Sequence, residues 1–149
     1  MSKKEDLLLD RLVDEAMKVR GRAHAPYSRY KVGAAIATRS GRVFAGCNVE
    51  NASYGATICA ERGAIMQMVA AGEKDIVACA VVTQGEGGSP CGICRQTLAE
   101  FASDMPIELV GLDGAKVHRK RTRLAKLLPD MFTPATLRNA LRKGRRRGG

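Results

Sequence analysis

The chain has 149 residues, enough for one domain with a single hydrophobic core. Apolar residues make up 45% of it, yet no run is long enough to span a bilayer. Met1–Asp6 leads into an amphipathic pattern rather than an apolar signal core, so no membrane partner is expected and the expected location is cytoplasmic. The net charge of +10 is lopsided: residues 1–115 hold 13 Lys+Arg against 14 Asp+Glu, and residues 116–149 hold 12 against one. The basic character therefore belongs to the end of the chain and says little about an active site.

Leu9, Leu12, Val13, Ala16 and Met17 recur at helical spacing with Asp10, Asp14, Glu15 and Lys18 opposite, which predicts an amphipathic first helix stopping at Gly21. Ala25–Ser28 is a turn. Val32–Ala37 and Val43–Cys47 read as strands joined by a hairpin at Ser40–Arg42. Asn48–Thr57 is a polar loop. From Cys59 to Ala71 the pattern is helical, with Gly72 as its stop. Its lack of charge after Arg62 predicts a helix buried all round. Ile76–Val82 is a continuous apolar run, as in a strand covered on both faces. A Gly-rich loop leads to a helix over Cys91–Phe101, a strand over Ile107–Leu112 and a short helix over Arg123–Leu128 ended by Pro129. Pro134–Lys143 is helical in pattern, and residues 144–149 are expected to be disordered. Alternating strands and helices after the first hairpin give an α/β layered domain with a mixed sheet.

Both cysteine motifs, Cys59-Ala60-Glu61-Arg62 and Pro90-Cys91-Gly92-Ile93-Cys94-Arg95, fall at a helix start after a loop, the edge of an α/β sheet where ligands bind. Five cysteines is an odd number, against a closed disulfide framework. In a reducing compartment a Cys-x-x-Cys pair is metal-binding or redox-active. Cys91 and Cys94 share one helix face, and Cys59 would add a third thiolate. Three protein ligands leave a tetrahedral zinc ion one open position, the mark of a catalytic site. Three thiolates on one zinc sum to −1, which two helix N-termini offset. Arg62 and Arg95 are further candidates, and Arg62, adjoining the metal helix, is favoured. Glu61, two residues after Cys59, is placed to take a proton from a metal-acidified water and pass it to a leaving group. Alone, Cys91-x-x-Cys94 fits a structural zinc knuckle or a redox pair equally well; the upstream Cys-x-Glu tips the reading to catalysis. Cys47, Cys79, Met66 and Met68 are read as core residues. His24 and His118 lie outside the motifs, so no imidazole ligand is expected.

Cys-x-Glu followed by Pro-Cys-x-x-Cys resembles the zinc-dependent nucleoside and nucleobase deaminases, whose glutamate is not a metal ligand. Within that class the chain is similar to the small homotetrameric cytidine deaminases over nearly all of residues 5–132. The resemblance includes Ala25-Pro26-Tyr27-Ser28, Val32-Gly33-Ala34-Ala35, Asn48-Val49-Glu50-Asn51-Ala52-Ser53-Tyr54-Gly55 and Thr57–Arg62. It implies a three-layer α-β-α sandwich around a mixed five-stranded sheet. It also implies one Zn²⁺ per subunit on Cys59, Cys91 and Cys94, with Glu61 as proton shuttle. Attack of the activated water at C4 of cytidine or 2′-deoxycytidine would expel ammonia, a step of pyrimidine salvage. Asn48 and Glu50 match the pair that binds the ribose 3′-hydroxyl, one donating and one accepting. Ala52 would offer its N–H to the base carbonyl, and Tyr54 would reach a neighbouring subunit's site. Phe132 would cap an adjacent subunit's base. The family often has Phe-Pro where Tyr30-Lys31 stand; Tyr30 would still stack on the base, its hydroxyl needing a partner. The resemblance divides the chain into a catalytic domain, 1–132, and a basic extension, 133–149, about which it is silent. A polynucleotide deaminase that holds phosphates with the basic extension is the main rival. Against it, Glu50 would repel a phosphate at the 3′ position. A zinc-stabilised binding module and a nucleoside-antibiotic deaminase are further alternatives.

Overall fold

Ala34 and Ile36 turn to one side of a central sheet and Ala35 and Ala37 to the other, and helices cover both sides. The computed structural model describes residues 2–145. In chain order these form α1 (Lys3–Arg20), β1 (Gly33–Thr38), β2 (Val43–Cys47), α2 (Ala60–Ala70), β3 (Ile76–Gln84), α3 (Gly92–Phe101), β4 (Pro106–Asp113), β5 (Lys116–Arg123), α4 (Leu124–Leu127) and α5 (Pro134–Arg145). The sheet runs β2-β1-β3-β4-β5. Only β3 and β4 pair in parallel, joined through α3; the other neighbours are antiparallel. This is the expected three-layer sandwich with a mixed five-stranded sheet.

One layer is α1, whose Leu9, Leu12, Val13 and Ala16 pack on Ala35, Ala37, Ala80 and Val82. Ser2 caps it, its hydroxyl accepting the Glu5 N–H at 3.2 Å. The other layer is α2, α3 and α4. There Ala64, Ile65, Met68, Leu98 and Leu124 meet Ile36, Cys79, Val81 and Ile107. Alanines along β1 and in α2 let helix and sheet approach closely. Gly46 of β2 is one such close approach: a Cβ there would run into the backbone of Ala60 and Ala64.

The structure differs from the sequence reading in several places. The strand β5 is absent from the element-by-element reading, because Lys-Val-His-Arg-Lys-Arg-Thr-Arg carries almost no apolar signal. It is an edge strand held by charge. The buried Glu108 carboxylate accepts from Arg119 Nε at 3.0 Å and Arg121 Nε at 2.8 Å. The same two arginines reach Asp10 and Asp6 of α1 at 2.8 and 2.7 Å. Arg123 pairs with Asp104 at 2.6 Å. Part of the positive charge assigned to the chain's end thus neutralises acids of the body. The helix α2 is not buried all round: Ala60, Ala64, Ile65 and Met68 face the core, while Met66 and Val69 are exposed in the single chain. Met66 is therefore not a core residue here, and Cys47 is only half-buried, whereas Met68 and Cys79 are fully buried. The last helix continues through Gly144 and Arg145, which were expected to be disordered; residues 146–149 lie outside the described part.

Candidate metal centre and substrate cavity

The strands β2 and β3 point the same way, so α2 and α3 both begin at one end of the sheet. Cys59 and Cys91 are their N-cap residues, both with extended backbone (ψ 154° and 167°), and Cys94 is in the first turns of α3. The Sγ atoms of Cys59, Cys91 and Cys94 all lie within 4.8 Å of one another, and Cys59 and Cys91 are 3.8 Å apart. Tetrahedral zinc with Zn–S bonds near 2.3 Å separates its sulfurs by about 3.8 Å. The three thiols therefore fit a zinc ion, facing two helix N-termini whose free N–H groups favour negative charge.

The thiols already differ in acidity. A hydrogen bond from Cys94, with help from Arg62 and Cys91, draws Cys59 down to about 5 against the effect of its burial. Cys94, as partner in that bond and buried, is pushed up. Arg62 lies beside Cys59: one terminal nitrogen is 3.7 Å from its Sγ and donates to the Thr57 carbonyl at 3.2 Å. Its Nε is buried without a hydrogen-bond partner. Arg95, the other candidate, is spent on the backbone, donating to Pro90 O at 2.8 Å and Leu127 O at 2.7 Å.

Glu61, 4% exposed, lines a cavity of about 270 Å³ together with Cys59 and Cys91. Burial raises its carboxyl above the ordinary value. A carboxyl that tends to hold a proton, next to a metal-binding trio, is suited to proton transfer. Across the cavity stand Tyr30, Asn48 and Glu50. Asn48 is built into the wall: its Oδ1 accepts from Val32 N and its Nδ2 donates to Tyr30 O, both at 2.8 Å. Glu50 Oε1 accepts from the N–H groups of Tyr27 (3.0 Å) and Ser28 (3.1 Å). The Ser28 side chain first, and then these bonds, hold its pKa below the ordinary carboxylate value, against the opposing effect of burial. An amide has a second N–H and a carboxylate a second oxygen, so both residues can brace the loop and still grip a ligand. The Tyr30 hydroxyl has its space because residue 88 is glycine; a Cβ there would lie 2.8 Å from it.

Three sequence-predicted residues do not reach this cavity within the single chain. Ala52 is in an exposed loop, Tyr54 is 76% exposed and edge-on to Tyr27, and Phe132 is 56% exposed. Conversely, Thr83, Ser89, Ser28 and Thr57 line the cavity without having been singled out. Thr83 had a legible signal: it puts a hydroxyl at the end of an apolar strand, and in the structure it accepts the Gly88 N–H at 2.8 Å.

Residues 8–107 match the family described as the cytidine and deoxycytidylate deaminase zinc-binding region. A cytidine deaminase of Sporosarcina psychrophila is 43% identical over 131 residues, 87% of this chain and 94% of its own. The crystal structure of cytidine deaminase from Burkholderia pseudomallei superposes with a TM-score of 0.75 at 40% identity, covering 89% of this chain and all of its own. That from Mycobacterium tuberculosis gives 0.66 at 37% identity, covering 83% and 95%.

Proposed function

The chain belongs to the zinc-binding family of cytidine and deoxycytidylate deaminases, and from that premise we propose that it converts free cytidine and 2′-deoxycytidine to the uridines, consuming one water and releasing one ammonia. The observation that carries this reading is the buried carboxyl of Glu61 in one cavity with zinc-fitting thiols on one side and Asn48 and Glu50 on the other. Zinc on Cys59, Cys91 and Cys94 supplies, when bound, a water acidified toward neutral pH.

The chain's own residues do the rest. Glu61 takes the water's proton on a carboxyl oxygen, holds it against N3 of the pyrimidine and delivers a proton to the departing amine. Its raised pKa supports its holding the proton between those transfers. Arg62, against Cys59, offsets the negative charge of the thiolate set. Asn48 and Glu50 bind the ribose 3′-hydroxyl, and Tyr30 packs on the base. Ala52, in the exposed part of the loop after Glu50, offers its N–H to the base carbonyl.

We read the active form as a homotetramer in which Tyr54 and Phe132 complete a neighbour's site. Their exposure outside their own cavity, and the apolar Met66, Val69 and Ile93 exposed around the metal helices, support this. Residues 1–132 make the catalytic domain and 133–149 an extension. The setting is pyrimidine salvage in the cytoplasm; no helix among the described residues is long and apolar enough to cross a membrane.

The deciding assay follows ammonia release and loss of the cytosine absorbance with cytidine, deoxycytidine, cytosine and a cytosine-containing oligonucleotide side by side. Turnover of the two nucleosides is expected. Activity confined to the oligonucleotide would replace this reading with a polynucleotide deaminase.

A further inference from the structure

Among the described residues, none of helix α5 belongs to the cavity or to either core cluster. Its first turn is rooted: Thr133 Oγ1 accepts the Thr136 N–H at 3.2 Å, and Pro134 opens the helix. From Ala135 to Lys143 every residue is exposed. Helical spacing gathers Leu137, Ala140 and Leu141 into one apolar stripe. Arg138 and Arg142 flank it on one side and Lys143 on the other. Residues 133–149 carry six Lys+Arg and no Asp or Glu. A twelve-residue helix is marginal in water by itself, so two exposed leucines on such a helix need a surface to cover them.

Charge and stripe length narrow the choice. A second copy of the helix would set cations against cations. A polynucleotide answers the cations but does nothing for the leucines. A deep groove in a partner protein takes anchors at i, i+3, i+4 and i+7, and here the i+7 position after Leu137 is Gly144. A shallow, apolar interior under a sheet of negative charge answers both features, with the arginine and lysine stems lying along the boundary. The cleft at the root mixes Arg39, Lys74 and Arg138 with Asp75, Glu100 and Asp104, so the cationic surplus lies along the sequence after Arg138, from Arg142 onward. That root adjoins Phe101 at the far end of α3 from Cys91. A surface bound there leaves the cavity mouth open.

We infer that α5 docks the enzyme peripherally on an anionic lipid bilayer. It goes beyond the sequence-based expectation, which gave the chain no membrane partner. It is independent of the deaminase reading, because its readout is binding and not turnover.

The test is co-sedimentation of the full-length zinc-loaded enzyme with vesicles of phosphatidylcholine containing phosphatidylglycerol, with vesicles of phosphatidylcholine alone, and in competition with a single-stranded RNA. Binding to the anionic vesicles at least about tenfold above the neutral ones is expected, weakening with salt. Leu137→Ser with Leu141→Ser, and separately Arg138→Glu with Arg142→Glu, should each lower it about tenfold. Cytidine turnover and oligomer mass, which serve as the check on folding, should stay unchanged. Equal binding to both vesicle types, or none, overturns the proposal. So does RNA displacing the vesicles while the leucine variant binds normally, which would make the helix a nucleic-acid contact. A change of oligomer mass in the leucine variant would assign the stripe to a second copy and overturn it too.

Discussion

Burial of a single carboxyl is what separates this centre from a structural zinc knuckle. Glu61 sits beside the thiols but in the cavity wall, where desolvation favours its protonated form. Glu61→Gln keeps the shape and removes the proton shuttle. Zinc content and melting temperature should stay near those of the unaltered chain while kcat on cytidine falls by about 10²–10⁴-fold. Metal analysis beside the rate separates the two possible losses: a variant that loses its zinc would make Glu61 a ligand. A second carboxylate, Asp104, has a structural duty that shows in acid. Burial alone would raise its pKa, but the Ala125 N–H, the Arg123 guanidinium and the Met105 N–H together hold it below the ordinary value. The folded state thus binds fewer protons there than the unfolded state. Its contribution is complete at neutral pH and is lost as pH falls below about 4 through the folded value. Asp104→Asn should cost about 1 kcal/mol at pH 7, allowing for solvent screening, and progressively less as pH falls below about 4. Denaturant melts over a series of pH values from 7 downward read the difference.

The helix α2 carries Cys59, Glu61 and Arg62 as one rigid body, and it is seated by contact with β2 at Gly46. Gly46→Ala puts a methyl group against helix backbone that no rotamer change can move. It should cost about 1–3 kcal/mol and lower zinc affinity with it, because the helix must lift. Chemical denaturation and a zinc-chelator competition would report the two effects together. How far the elements were legible follows from what holds each one. The strands β1 to β4 are apolar and read directly, and both metal helices read from their cysteine caps and from Gly72, whose positive φ of 82° ends the α2 turn. The strand β5 was missed because hydrophobic periodicity cannot see a strand fixed by Arg119, Arg121 and Arg123 on acids. The Asp113-Gly114 pair before it, with Gly114 at φ 57°, was the available hairpin signal. The grouping of Cys59, Cys91 and Cys94 beside Glu61 was readable from spacing and helix position. The backbone bonds of Asn48 and Glu50 were not, since they join residues 16 to 23 positions apart across a turn.

At the scale of the whole molecule the metal ties two separate parts of the chain, residue 59 and residues 91 to 94. Stripping zinc with a chelator should lower the melting temperature by about 10 °C, since ligand present at about a thousand times its Kd adds about 4 kcal/mol to a domain of this size. Calorimetry before and after zinc is restored checks both the loss and its reversal. Removing residues 133–149 should leave cytidine turnover within about twofold, as α5 adjoins the opposite end of α3 from the thiols. A large fall in kcat would mean that the extension helps to build the site. The ion pairs that reach from β5 back to α1 have a further meaning, in time. Arg121 and Asp6 are 115 positions apart, and Arg119 and Asp10 are 109. The first helix leaves the ribosome with its apolar face ready, but the strand that closes its charge latch is made among the last residues. The order of synthesis is therefore the reverse of the order of locking. Until β5 arrives, Glu108 is an acid without its cations, and a nascent chain cut off before residue 116 holds the metal ligands on an unfinished sheet.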